Sequence, residues 1–163
     1  MGELEKSDIY ACALSMPTPA EPLCDEWVEE IGRHVQRNSD ANIYLVGHSL
    51  GVPAILRYLE SMPDSTKLAG TVLVSGPCTQ TKNEKLKHFL EKPFDFSSIR
   101  SKAGKVAIIH GDNDEVVLVT EAHILCEKLG GELHIVKNGG HLNGSSGWFA
   151  LPDCLAVLKN WID

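Results

Sequence analysis

Short apolar runs separated by amphipathic stretches constrain this chain more than any other feature. Ile43-Tyr44-Leu45-Val46, Thr71-Val72-Leu73-Val74, Val106-Ala107-Ile108-Ile109 and Leu133-His134-Ile135-Val136 have the length and β-branching of buried strands. Ahead of these four lies the first of five runs in chain order, Ile9 to Leu14, between Ser7-Asp8 and the breaker Met16-Pro17-Thr18-Pro19. Strands that are apolar throughout are covered on both faces, as in parallel sheets. Between them, apolar residues recur at helical spacing: Leu23, Trp27, Ile31 and Val35, then Val52, Ile55, Leu56, Leu59 and Met62. The pattern returns at Leu118, Ala122, Leu125 and Leu129, stopping at Gly130-Gly131, and again at Leu151, Leu155, Leu158 and Ile162. This alternation predicts a three-layer α/β domain, a mostly parallel sheet with helices on both faces.

The 163 residues fit a single domain, residues 1–163. A chain of that size buries about two-thirds of its unfolded surface and needs neither disulfides nor a structural metal to fold. With 43% hydrophobic and 23% charged residues, the disordered, collagen-like and coiled-coil classes are excluded. The net charge of −7 is spread along the chain without a Lys/Arg cluster, so nucleic acid is not an expected partner. No apolar run approaches the ~20 residues that cross a bilayer. Met1-Gly2-Glu3-Leu4-Glu5-Lys6 has neither the basic nor the apolar region of a secretory signal. Cys12, Cys24, Cys78, Cys126 and Cys154 are odd in number and never spaced CxxC, which reads as reduced thiols. These features predict a cytoplasmic protein with no membrane partner. The stretch from Gly76 to Lys105 departs from the alternation. It is polar, with a short helical pattern from Asn83 to Leu90, and is expected to cross one end of the sheet. There its Phe89, Phe94 and Phe96 either cap a pocket or simply pack.

Ligands of open α/β sheets bind beyond the carboxyl ends of the strands. The second apolar run leads directly into Gly47-His48-Ser49-Leu50-Gly51, followed at once by a helical pattern. A serine at a sharp strand-to-helix turn is exposed for attack, and crowding by the turn is expected to require Gly at 47 and 51. The helix N-terminus favours negative charge there, and the Leu50 N–H would face a developing oxyanion. A serine hydroxyl needs a base, and the base needs an orienting group. The fourth apolar run ends in His110-Gly111-Asp112-Asn113-Asp114-Glu115-Val116-Val117, and the fifth in Asn138-Gly139-Gly140-His141-Leu142-Asn143. The order Ser, Asp, His matches that of α/β-hydrolases. His141 sits on a glycine-rich loop, whereas His34, His88 and His123 fall in helices, His134 falls in a strand, and His48 is expected to face away from the serine. Asp114 is chosen as the acid, with Asp112 as the alternative. A metal set of His110, Asp112 and Asp114 lacks a second ligand cluster, so no metal is expected.

Met16-Pro17-Thr18-Pro19 before the Trp27 helix, then GHSLG, HGDNDEVV and GGHLNGSSGW, resembles the small cytosolic serine hydrolases of the retinoblastoma-binding-protein type. The resemblance runs from about Ile9 to the C-terminus. It implies an α/β-hydrolase fold, no cofactor, a catalytic set of Ser49, Asp114 and His141, and a small ester, thioester or amide as substrate. Leu23-Cys24-Asp25-Glu26 lacks the intervening residue of the LxCxE type, so the family's pocket-protein partner is not carried over. Members of that family also have a strand and a glycine-rich oxyanion loop ahead of the Ile9 run. This chain has eight residues there, which predicts an N-terminally truncated sheet with a gap between the Ile9 and Ile43 strands. The second oxyanion donor would come from the Leu14 to Thr18 loop, from a partner chain, or from nowhere.

Two functional expectations result. One is a serine hydrolase acting on a small-molecule acyl substrate, carboxylesterase-like, with activity impaired by the missing loop. The other is a catalytically weak or inactive interaction protein, or a truncated isoform, that recruits another chain. The state is expected to be a monomer, or a dimer formed through an exposed sheet edge.

Overall fold

The computed structural model describes residues 2–6, 9–38, 40–81 and 83–162. Four parallel strands form one sheet in sequence order: β1 (Tyr44–His48), β2 (Gly70–Val74), β3 (Lys105–Gly111) and β4 (Glu132–Val136). The register sets Val46 beside Val72, Val72 beside Ala107, and Ile108 beside Leu133. Because side chains alternate along a strand, Leu73 and Ile108 enter one core while Val72, Val74, Ala107 and Ile109 enter the other.

The larger core lies under α2 (Cys24–Arg37), α3 (Gly51–Ser61), α4 (Glu84–Leu90), α5 (Phe96–Lys102) and α6 (Val119–Leu129). The smaller one lies under α7 (Pro152–Ile162), whose Val157, Leu158 and Trp161 are buried, with Leu4 of the short α1 (Gly2–Glu5) packed against it. Gly130 ends α6 in a left-handed cap at φ 71°, the stop signalled by its Gly-Gly pair.

The segment from Gly76 to Lys105 contributes to a core rather than crossing the sheet's end. Phe89 is fully buried edge-on to Trp27, with ring centroids 5.6 Å apart. Phe94 lies beneath the Arg57 guanidinium, 3.9 Å from its ring centre, and against Phe96. These aromatics therefore pack against α2 and α3. The second helix of this segment, α5, begins with Asp95 accepting from the Ser98 N–H at 3.0 Å. It ends in Lys102, whose buried ammonium donates to the carbonyl of Met62 at 2.6 Å and lies 3.2 Å from Asp64. That cation neutralises the carboxyl end of α3.

The Ile9–Leu14 run is not a strand, and the sheet has no internal gap; it ends at β1. A strand exists through its partner, and among the described residues nothing pairs with the outer edge of β1. The segment is instead held by side chains. Leu14 and Met16 pack on the larger core, the Trp27 indole donates to the Pro17 carbonyl at 2.8 Å, and Tyr10 stays 82% exposed.

Candidate active site

β1 turns into α3 through Ser49, which has the left-handed φ of 52°. A non-glycine residue there is strained and persists only where the surroundings enforce it. The Ser49 N–H donates to the Val74 carbonyl at 2.9 Å, and the Ser49 carbonyl accepts from Val52 at 3.0 Å. A Cβ at Gly47 would lie 2.7 Å from the Gly51 carbonyl oxygen, so that glycine is compulsory. At Gly51 a Cβ would meet nothing within 4 Å. The crowding expected at both positions therefore applies at 47 alone, because the turn folds 47 onto the backbone of 51 while the α-side of 51 faces open space. Leu50 follows as the N-cap of α3, which orients its peptide unit at the helix start.

The loops after β3 and β4 meet beside this turn. A Cβ at Gly111 would lie 2.2 Å from the Gly140 carbonyl oxygen, so the two backbones touch. Asp112 Oδ1 accepts from Asn138 N–H at 2.7 Å, and Asn113 Oδ1 accepts from Gly140 N–H at 2.8 Å. Asp112 thus braces the histidine loop and does not touch the imidazole. Asp114 does: its Oδ2 lies 2.8 Å from His141 Nδ1, and His141 Nε2 lies 3.0 Å from Ser49 Oγ. A carboxylate can only accept, so Nδ1 carries the proton and Nε2 is left to accept from the serine hydroxyl. The other Asp114 oxygen accepts from the N–H groups of Val116 at 2.8 Å and Val117 at 2.9 Å. Burial alone would raise the Asp114 pKa, but the Val117 and Val116 amides and His141 outweigh it and hold the carboxyl below its ordinary value.

Two further histidines join the site without having been singled out for it. His48 turns toward the site: its Nε2 donates to the His141 carbonyl at 2.8 Å, and the two rings are 4.9 Å apart. Burial, with the neighbouring His141, lowers its pKa against the opposing effect of that carbonyl. His110, wholly buried, donates to the Val117 carbonyl at 2.8 Å and lies 3.4 Å from Asp114. The hint in sequence is position: His48 ends β1 directly before Ser49, and His110 lies near the end of β3, four residues before Asp114. Asp112 turns away from His110 and Asp114 toward Asn138, and among the described residues no cluster of His, Cys, Asp and Glu suits a metal ion. The cysteines are unbridged, and burial pushes the thiols of Cys24 and Cys154 up to about 11. Among the described residues no helix is long and apolar enough to cross a membrane.

A parallel sheet bearing a serine at a left-handed strand-to-helix turn, with an acid and a histidine from the loops of later strands, defines an α/β-hydrolase-like protein. Known structures share that architecture. A bromoperoxidase of Bacillus anthracis, only 13% identical, superposes with a TM-score of 0.63 over 86% of this chain and 74% of its own. The serine hydrolase family profile matches residues 3–160, and the chain belongs to that family. YdeN of Bacillus subtilis (strain 168), provisionally named a hydrolase, is 32% identical over 154 residues, 94% of this chain and 80% of YdeN. The crystal structure of the Bacillus subtilis ydeN gene product superposes with a TM-score of 0.92 at 31% identity, covering 99% of this chain and 87% of the other.

Proposed function

We propose that this protein is a carboxylesterase-like serine hydrolase of the retinoblastoma-binding-protein type, cleaving a small ester, thioester or amide through an acyl-enzyme. The observation that carries the reading is the hydrogen-bonded chain from Ser49 through His141 to Asp114, with links of 3.0 and 2.8 Å. Ser49 Oγ attacks the acyl carbon while His141 Nε2 takes its proton. Asp114 keeps the imidazole in the reactive tautomer and stabilises its cation. The Leu50 N–H supplies one donor to the oxyanion of the tetrahedral intermediate. The imidazolium then protonates the leaving group, and water repeats the sequence to release the acid and free Ser49. Steady-state hydrolysis of p-nitrophenyl acetate tests this: turnover in the parent and its loss in Ser49→Ala are expected, and equal rates in both would refute it.

The outer edge of β1, unpaired among the described residues and with Val46 47% exposed, favours a second reading in which the fold recruits a strand from another chain and turns over weakly. Sedimentation across a range of concentrations separates the two. A dimer without esterase activity supports the second reading, and an active monomer excludes it.

A further inference from the structure

Nothing in the proposed reaction uses His110, yet the ring occupies a position with no exposure to solvent at the end of β3. Its Nε2 lies 2.8 Å from the Val117 carbonyl oxygen. A carbonyl only accepts, so Nε2 bears a proton. Nδ1, on the other side of the ring, is buried and meets no hydrogen-bond partner among the described residues. An unpaired buried polar atom costs free energy that a Phe or Leu in the same space would not. The imidazole is therefore explained by what Nε2 holds.

That contact leads directly to the acid. Val117, whose carbonyl His110 grips, is the residue whose N–H binds Asp114 Oδ1 at 2.9 Å, beside Val116 at 2.8 Å. The same Nε2 is 3.4 Å from Asp114 Oδ2, the oxygen that receives His141. We propose that His110 is a positioning residue: from behind the site it fixes the 114–117 turn, so that Asp114 presents Oδ2 to His141 in the geometry the reaction needs. Its significance for catalysis rests on the hydrolase reading; its effect on His141 does not. Among the described residues, Asp114 and His48 contact His141, and His110 reaches Asp114 from within the core.

The test reads His141 directly, by the downfield NMR signal of the Nδ1 proton shared with Asp114. His110→Phe fills the space without an N–H, whereas His110→Gln keeps a donor at nearly the same reach. In the Phe variant that signal is expected to move upfield and weaken, as a displaced carboxylate loosens its hold on the proton. The Gln variant is expected to restore it. A folded Phe variant that keeps the parent signal overturns the proposal, and so does a Gln variant that behaves like a disrupted site. If the Phe chain does not fold, His110→Met is read by the same signal. A parent protein that hydrolyses nothing, yet shows this dependence on His110, refutes only the hydrolase reading.

Discussion

His48 and His141 are linked by one hydrogen bond, from the His48 imidazole to the His141 main-chain oxygen across 2.8 Å. It joins the strand that leads into Ser49 to the loop that carries the base, so the Ser49–His141 distance depends on a residue that takes no part in proton transfer. His48→Ala is expected to lower the esterase kcat/KM about tenfold and the stability by about 1 kcal/mol, read by steady-state kinetics and thermal melting.

The same residue sets a pH dependence. Burial, the largest cause, lowers the His48 pKa, so the folded state releases a proton that the unfolded chain holds near its ordinary value of about 6.5. The His48 contribution to stability is therefore complete above that value and declines as pH falls below it, toward the folded pKa. Denaturation midpoints followed downward from pH 7 should show this slope in the parent and a shallower one in His48→Gln.

Asp112 and Asp114 are two residues apart but hold different partners. Asp114→Asn leaves His141 without a carboxylate and is expected to reduce kcat by about 10⁴-fold, by analogy with the orienting acid of other serine hydrolases. Asp112→Asn keeps an acceptor oxygen for the Asn138 N–H and is expected to remain within about threefold of the parent, since surface changes that preserve a contact cost little. Because Asp114 is held below the ordinary carboxylate pKa, the stability it provides is complete above about pH 4 and disappears as the pH drops through the folded value. Asp114→Asn should lose that acid limb.

The two glycines flanking the serine should respond oppositely. A methyl at Gly47 collides with the Gly51 backbone, so Gly47→Ala is expected to open the turn and abolish activity; Gly51→Ala enters open space and should retain fold and turnover. An alanine at 51 that proved as damaging as one at 47 would contradict this account of the turn. Melting curves and esterase assays of both variants decide it.

Lys102→Met keeps the apolar stem and removes the ammonium from the carboxyl end of α3. A loss of about 1–2 kcal/mol is expected, seen as a lower denaturation midpoint with esterase activity at 25 °C unchanged.

The strands from β1 to β4 could be located from sequence because their residues are apolar on both faces, and the meeting of Ser49, Asp114 and His141 could be anticipated because each follows a strand end. Ile9–Leu14 has the same composition and is irregular: apolarity marks what a strand can bury, not whether a neighbour offers it a ladder. α5 is not legible because Phe96 and Ile99 are its only apolar residues, whereas Leu86, Phe89 and Leu90 stripe the equally short α4; only the Asp95–Ser98 cap marks it. The choice between Asp112 and Asp114 was open because both share a loop and only the folded loop separates their partners. His48 and His110 escaped for a related reason. Each binds a carbonyl, of His141 or Val117, and main-chain oxygens carry no signature in a sequence.

The central claim is that His141 and Asp114 make Ser49 a nucleophile. Intact-mass analysis after exposure to a fluorophosphonate probe tests it most directly, with peptide mapping of the adduct. The account predicts a single adduct on Ser49, slowed by at least about a hundredfold in His141→Ala. A folded parent that gains no mass, or one labelled at Ser49 equally fast without His141, would contradict it.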